Sequence, residues 1–302
     1  MEDRKPLIGH LAALSTITLW GTTYVATKFL LEDFSPVDIL IFRFVIGYIV
    51  LWMVHPHVFP MRQRKEEILI AGAGLCGVTL YFLFENTALT YTMASNVGVI
   101  VSIAPLFTAI LAYFFLGGKK LTVQFLLGFV VAMTGIFLIG YNGSFILKLN
   151  PLGDILAVLA AGVFAIYSII MRKISKFNIN TLAVTRRMFF YGLLFMLPTL
   201  LWMDFSADLS RLADMTNLFS MLFLGVGASA ICYATWNWAV GVIGPVKTTI
   251  YIYLVPVVTI IGAALFLGER FTWVSAVGAG LTLAGLYLSG WKRKVKVQEQ
   301  QG

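Results

Sequence analysis

Glu85 stands inside YFLFENTALTY, residues 81–91, an almost unbroken apolar run. A charge at the centre of a hydrocarbon layer costs about 2.5–3.5 kcal/mol on the most lenient scales. Such a carboxylate needs a partner, a proton or a ligand. Tyr81 lies four residues before it and Asn86 directly after it. Trp20 and Tyr24 are likewise four apart, and Tyr233 lies three and four residues before Trp236 and Asn237. Spacings of three and four bring side chains onto one helix face. Aromatic residues that face lipid gather at the membrane interfaces, whereas these share faces with Thr23, Thr27, Glu85 and Asn237. Core packing accounts for any single ring; the set together points to a polar, aromatic cavity. Rings around one carboxylate suit an ammonium group, through charge pairing and cation–π contact. The same carboxylate is a candidate carrier of a coupling proton. Tyr251 completes the candidate substrate-binding set, although it is two residues from Tyr253 and cannot share that residue's face.

The elements that must hold these groups follow from composition. The chain has 302 residues, of which 59% are hydrophobic and 12% charged. Soluble domains carry roughly 25% charged residues, so lipid is the expected solvent for most of this surface. Apolar runs fall near 7–30, 36–54, 67–90, 94–116, 121–140, 151–171, 181–203, 216–241, 245–267 and 271–291. Each is close to the ~20 residues that cross a bilayer as a helix. The expectation is an all-α integral membrane protein of ten transmembrane helices. The first span carries no small-residue cleavage site and is expected to be retained. With a cytoplasmic N-terminus, Arg62, Arg64, Lys65, Lys119, Lys120, Arg172, Lys173, Lys176 and the basic tail after Trp291 fall inside, and Glu32, Asp33, Asp204, Asp208 and Asp214 fall outside. That asymmetry places both termini in the cytoplasm. The net charge of +8 is explained by these clusters, which suit anionic headgroups and form no stripe for nucleic acid.

The chain is written twice. At a shift of 151, Asn86 meets Asn237, Pro105 meets Pro256, and Phe115-Leu116-Gly117 meets Phe266-Leu267-Gly268. After a one-residue gap, Gly128, Gly135 and Gly140 fall on Gly278, Gly285 and Gly290. Upstream, at a shift of 144, Gly9 meets Gly153, Lys28 meets Arg172 and Arg43 meets Arg187. The repeat is therefore half the protein, residues 1–145 and 146–302. An odd number of crossings per half inserts the second copy upside down, and inverted repeats mark transporters with a midplane site at the repeat interface. At the 151 shift Glu85 meets Trp236, so the halves present a carboxylate and an indole at related sites. Pro105 and Pro256 are expected to kink the fourth and ninth helices and act as gates. Arg43 and Arg187 lie several residues inside apolar runs, either as anchors that snorkel to headgroups or loop carboxylates or as gating ion pairs.

LWGTTYVATKFLLEDFSPVDILIFRF, ENTALTYTMASNVGVIVSIAPLFTAILAYFFLGG and LVPVVTIIGAALFLGERFT resemble the drug/metabolite transporter superfamily, in its ten-helix, two-repeat EamA-type exporter branch. The resemblance covers nearly the whole chain. It implies a secondary transporter in a cell membrane, whose repeats surround a central cavity and alternate its access to a small-molecule substrate. Members move amino acids, other metabolites, nucleotide sugars or drugs. Amino acids or related amines fit the carboxylate and rings best. The first repeat reads LGGKKLT where the second reads LGERFT, so the acidic residue expected after the glycine survives only as Glu269.

Other motifs carry less. GAGLCG at 72–77 and GVGASA at 225–230 match dinucleotide fingerprints, yet they sit within apolar helices where the fingerprint needs a strand and a water-facing helix start. Close helix packing through small residues is the better reading. His10, His55 and His57 have no metal spacing, Cys76 and Cys232 lie in apolar segments as packing thiols, and no phosphate loop is present. No cofactor is expected, and no enzyme activity: a lipid-acting enzyme would need catalytic polar residues clustered at one interface. A passive channel is distinguished by conduction without saturation.

Overall fold

The computed structural model describes residues 5–57, 63–91, 94–118, 120–141, 150–201, 205–206, 208–266 and 272–290, except for the side chains at 24, 25, 28, 89, 90, 94–96, 263 and 266. Those residues are helical with short turns, and no strand occurs among them. Helix α1 (Lys5–Leu30) is followed by nine segments long and apolar enough to cross a membrane. These are α2 (Pro36–Val54), α3 (Arg64–Ala88), α4 (Val97–Leu116), α5 (Val123–Tyr141), α6 (Pro151–Phe177), α7 (Thr181–Leu201), α8 (Met215–Ile243), α9 (Pro245–Gly262) and α10 (Trp273–Gly290). Their starts carry the expected cap chemistry. Ser35 and Asp38 form a reciprocal capping box on α2, and Asn150, Asn180 and Asp214 accept backbone N–H groups at α6, α7 and α8.

Glycine decides how the helices meet. Helices α5 and α10 lie against each other with backbone on backbone. A Cβ on Gly135 would stand 2.4 Å from the Gly278 carbonyl oxygen, and one on Gly285 would stand 2.3 Å from the Ala132 nitrogen. Without a hydrophobic drive between helices in lipid, such close van der Waals contact is what holds them. Gly285→Leu is therefore expected to destabilise the protein by about 1–3 kcal/mol or more, since backbone cannot rotate away. Gly280→Leu on the same helix, where no atom lies within 4 Å of the added Cβ, should be neutral. Thermal unfolding in detergent reads the difference.

The same rule pairs α2 with α8 and α3 with α7, and it corrects a register. Gly225 meets the Ile46 side chain and the Arg43 carbonyl; its mate Gly74 meets Tyr191 Cβ and the Met188 carbonyl. Both pairs, and Gly47 with Gly192, differ by 145 in number, so the second helix of each repeat is offset by one from the 144 shift. Arg43 thus corresponds to Met188, and Arg187 is not its counterpart.

Two pairs of irregularities also obey the repeat. The helix widens to π geometry at Leu75–Leu80 in α3 and at Phe223–Ile231 in α8. It breaks at Ser102 and Ile103 in α4 and tightens to 3-10 geometry at Ile250–Tyr253 in α9. Pro105 sits in the first turn after its break, where a missing N–H removes no helix bond. Pro256 is the third residue of the segment that follows the tightened turn. Each proline thus lies just after the point where its membrane-crossing helix departs from regular geometry.

Candidate functional site

A cavity of about 310 Å³ lies between α1, α2, α3 and α4 and is floored by Phe164, Tyr233, Ile252 and Val255 from the second half. That size suits a small metabolite, since ligand pockets run from about 300 to 1,000 Å³. It extends from these rings to Leu31 and Pro36 at the α1–α2 turn, where Leu31 is exposed. Its polar groups are Thr23, Thr27, Arg43, Tyr81, Glu85, Asn86, Ser102 and Tyr233.

The π segments anchor the floor. The Tyr233 hydroxyl donates to the Gly77 carbonyl at 2.7 Å, and Trp20 Nε1 donates to the Ala228 carbonyl at 2.9 Å. Gly77 and Ala228 are 151 apart, so each half uses the same widened turn to hold an aromatic ring of the other half's packing. Trp20 packs on Trp236 at 5.1 Å and edge-on to Tyr233 at 5.6 Å between ring centroids. Phe44 sets its edge against Phe189 at 5.1 Å. The rings fix the floor without filling the cavity above it.

Glu85 is buried at the cavity wall, and its Oε1 accepts from the Tyr81 hydroxyl at 2.9 Å. The four-residue spacing in the sequence is thus a real contact. Arg43 is buried in the same cavity. Its Nε donates to Ser229 Oγ at 3.1 Å, and its guanidinium carbon stands 5.0 Å from the Phe82 ring centre and 5.3 Å from that of Phe44.

Of the expected binding residues, Trp20, Tyr81, Glu85, Asn86 and Tyr233 line the cavity. Trp236, Asn237 and Tyr251 do not line it. Trp236 is fully buried behind Trp20, with its Nε1 unpartnered among the described residues. Asn237 accepts from the Tyr167 hydroxyl and donates to Thr185 Oγ1 at 2.9 Å, a buried network spanning α6, α7 and α8. Tyr251 meets His10 Nδ1 at 3.0 Å. The Tyr24 side chain is outside the described residues, as is Glu269. Arg187 lies away from the cavity and pairs with Glu67 at 2.7 Å. Its neighbour Arg186, which sequence reasoning passed over, donates to the carbonyls of His55 and His57 and ties α7 to the α2–α3 turn. Pro105 and Pro256 border the cavity only through the breaks beside them, at Ser102 and Ile252. Cys76 and Cys232 are free thiols, and no metal-binding cluster occurs among the described residues.

The end away from Leu31 is closed by ties within the second half and one that joins the two halves. Besides Tyr167–Asn237–Thr185, Thr16 meets Thr235 at 2.6 Å, and Arg172 donates to the Gly241 carbonyl. The repeat shows what these groups correspond to. Tyr167 is the mate of Thr23 at the 144 shift, and Asn237 is the mate of Asn86. Small Thr23 leaves its half open; large Tyr167 fills the other.

Known proteins place this arrangement. A solved crystal structure shares the fold with a TM-score of 0.75 at 20% identity, over 93% of this chain and 97% of that chain. Archaeoglobus fulgidus has an uncharacterized transporter 25% identical over 94% of this chain and 98% of its own length. A probable amino-acid metabolite efflux pump of Escherichia coli is 27% identical, covering 94% and 97%. A probable terminal-alkyne amino-acid exporter of Streptantibioticus cattleyicolor is 26% identical, covering 92% and 91%. The EamA-like transporter family matches the chain twice, over residues 7–141 and 151–291, the same doubling that the glycines, π turns and helix breaks display. A multi-pass membrane transporter with two repeats about a shared cavity, the chain belongs to the EamA-like transporter family.

Proposed function

We propose that this transporter exports or exchanges an amino acid or a related amine across the cell membrane by alternating access. The observation that carries the reading is the cavity, which has a buried carboxylate and aromatic walls in one half while its repeat-related counterpart is sealed by Tyr167, Asn237 and Thr185. An inverted repeat adopts the two packings in turn, and exchanging them between halves moves the opening to the other face. Relatives named for amino-acid and amino-acid-metabolite export support the substrate class. The test is counterflow in reconstituted vesicles: labelled amino acid should enter against its own gradient when unlabelled amino acid is trapped inside, and should saturate. Uptake that never saturates, or no amino acid accepted across a broad panel, would sink the reading.

In this proposal residues 1–145 and 146–302 each supply five of ten crossings, and both termini are cytoplasmic. Charge supports the orientation. The turns around His55, Arg172 and Arg186 gather at one end, with Lys173 5.4 Å from the Phe115 ring. Asp33, Asp208, Arg211 and Asn217 gather at the other. There, Ser210 holds the Asp208 carboxyl below its usual range through its hydroxyl and backbone N–H, and backbone N–H groups of Asn217 and Thr216 do the same for Asp214. The acidic end is then external, and the cavity faces outward. With single introduced cysteines, an impermeant thiol reagent on whole cells should label Ser210→Cys and leave Gln63→Cys unlabelled. The opposite pattern would reverse the orientation.

A further inference from the structure

We propose that Arg43 is the anchor for the substrate carboxylate, so that the cavity takes a free zwitterionic amino acid with an uncharged side chain. This rests on the transport reading above and narrows it to one chemical class. Arg43 is 7% exposed and Glu85 is 8% exposed, and both line the same cavity. They form no ion pair with each other, and among the described residues each makes one side-chain hydrogen bond: Arg43 Nε to Ser229, Glu85 to Tyr81. Two opposite charges held apart in an apolar pocket are an expensive arrangement. Buried charges lose several kcal/mol of hydration each, on the order of magnitude of measured penalties, and recover it only through close partners. A zwitterion supplies both partners at once. Using Nε for Ser229 leaves the two terminal nitrogens of Arg43, whose planar fork matches a carboxylate. Glu85 takes the ammonium.

The same pair argues against other cargoes. A cationic drug or a simple amine would leave Arg43 unanswered and be repelled by it. A phosphate-bearing anion would meet Glu85. Among the described residues the rest of the lining is uncharged, with Ile39, Leu40, Ile252 and Val255 around the rings and Thr23, Thr27, Asn86 and Ser102 as its neutral polar groups, and so offers no counter-charge to a charged side chain.

The experiment uses full-length protein in vesicles with L-leucine as probe, challenged by L-leucinamide, isopentylamine and N-acetyl-L-leucine. Wild type should prefer leucine by at least about tenfold over each, because each lacks one charge of the pair. Arg43→Gln should lose that preference over leucinamide, and Arg43→Lys should keep part of it. The wild-type ligand series stands even if an Arg43 variant fails to fold. Equal handling of leucine and leucinamide by wild type overturns the Arg43 assignment and leaves amino-acid or amine transport standing. Retained preference in a folded Arg43→Gln protein overturns it equally. If neither leucine nor any other amino acid is transported, the wider reading falls and this one with it.

Discussion

Glu85→Gln is expected to cut transport of an amino acid or amine by about 10- to 150-fold, the effect of losing a charged hydrogen-bond partner worth ~1.5–3 kcal/mol. The substitution keeps the shape of the side chain, and glutamine can still accept from Tyr81, so the wall of the cavity survives. What disappears is the charge that faces an ammonium group from a buried position in the cavity wall. Protons and substrate compete for this carboxylate in the wild type, so its apparent affinity should fall as the medium is made more acidic. The variant has nothing to titrate at this position, and its transport should be flat between about pH 5.5 and 8, a window above the ordinary glutamate range of ~4.3. Kinetics measured across that window, on protein shown to be folded, decide the matter. Wild-type rates and wild-type pH dependence in Glu85→Gln would make Glu85 a structural residue held by Tyr81 alone.

The site was partly legible in the sequence because helix spacing is local. Four residues separate Tyr81 from Glu85, and the contact follows from helical geometry alone. The glycine and proline matches gave the doubling, since those residues answer to backbone geometry that both copies share. What could not be read was the state of each half. Asn86 and Asn237 are the same residue at repeat-related sites, yet one lines a cavity and the other is locked between Tyr167 and Thr185. That difference belongs to the conformation, and one sequence must encode both. Arg43 was misjudged for a different reason. An ungapped comparison aligned it with Arg187, and only the close approach of Gly47 and Gly192 to their partner helices reveals the extra residue. Ser229, which orients Arg43, was hidden in a run of small residues that reads as packing.

Tyr167→Phe is expected to open the closed end. The Tyr167 hydroxyl donates to Asn237, which in turn donates to Thr185 at 2.9 Å, and all three residues are buried. Removing the hydroxyl leaves the Asn237 carbonyl buried without that donor, which costs about 1–3 kcal/mol in the closed packing. Once α6, α7 and α8 part at this end, water reaches Asn237 and the cost vanishes. The substitution therefore acts on the difference between the two packings, and it should shift their ratio by roughly 5- to 150-fold toward the inward-facing one. Met171 reports the change: it is 2% exposed on α6, one turn beyond Tyr167, and is the repeat mate of Thr27 in the open cavity. In a background with Cys76 and Cys232 replaced, Met171→Cys should react slowly with a thiol reagent supplied from the cytoplasmic side. Adding Tyr167→Phe should speed that reaction about tenfold, within the same range. Thr185→Val, which removes the other end of the network, should act in the same direction. Labelling of Met171→Cys that stays unchanged in both folded variants would show that the hydrogen bonds are packing detail and that the closed end is held by its rings.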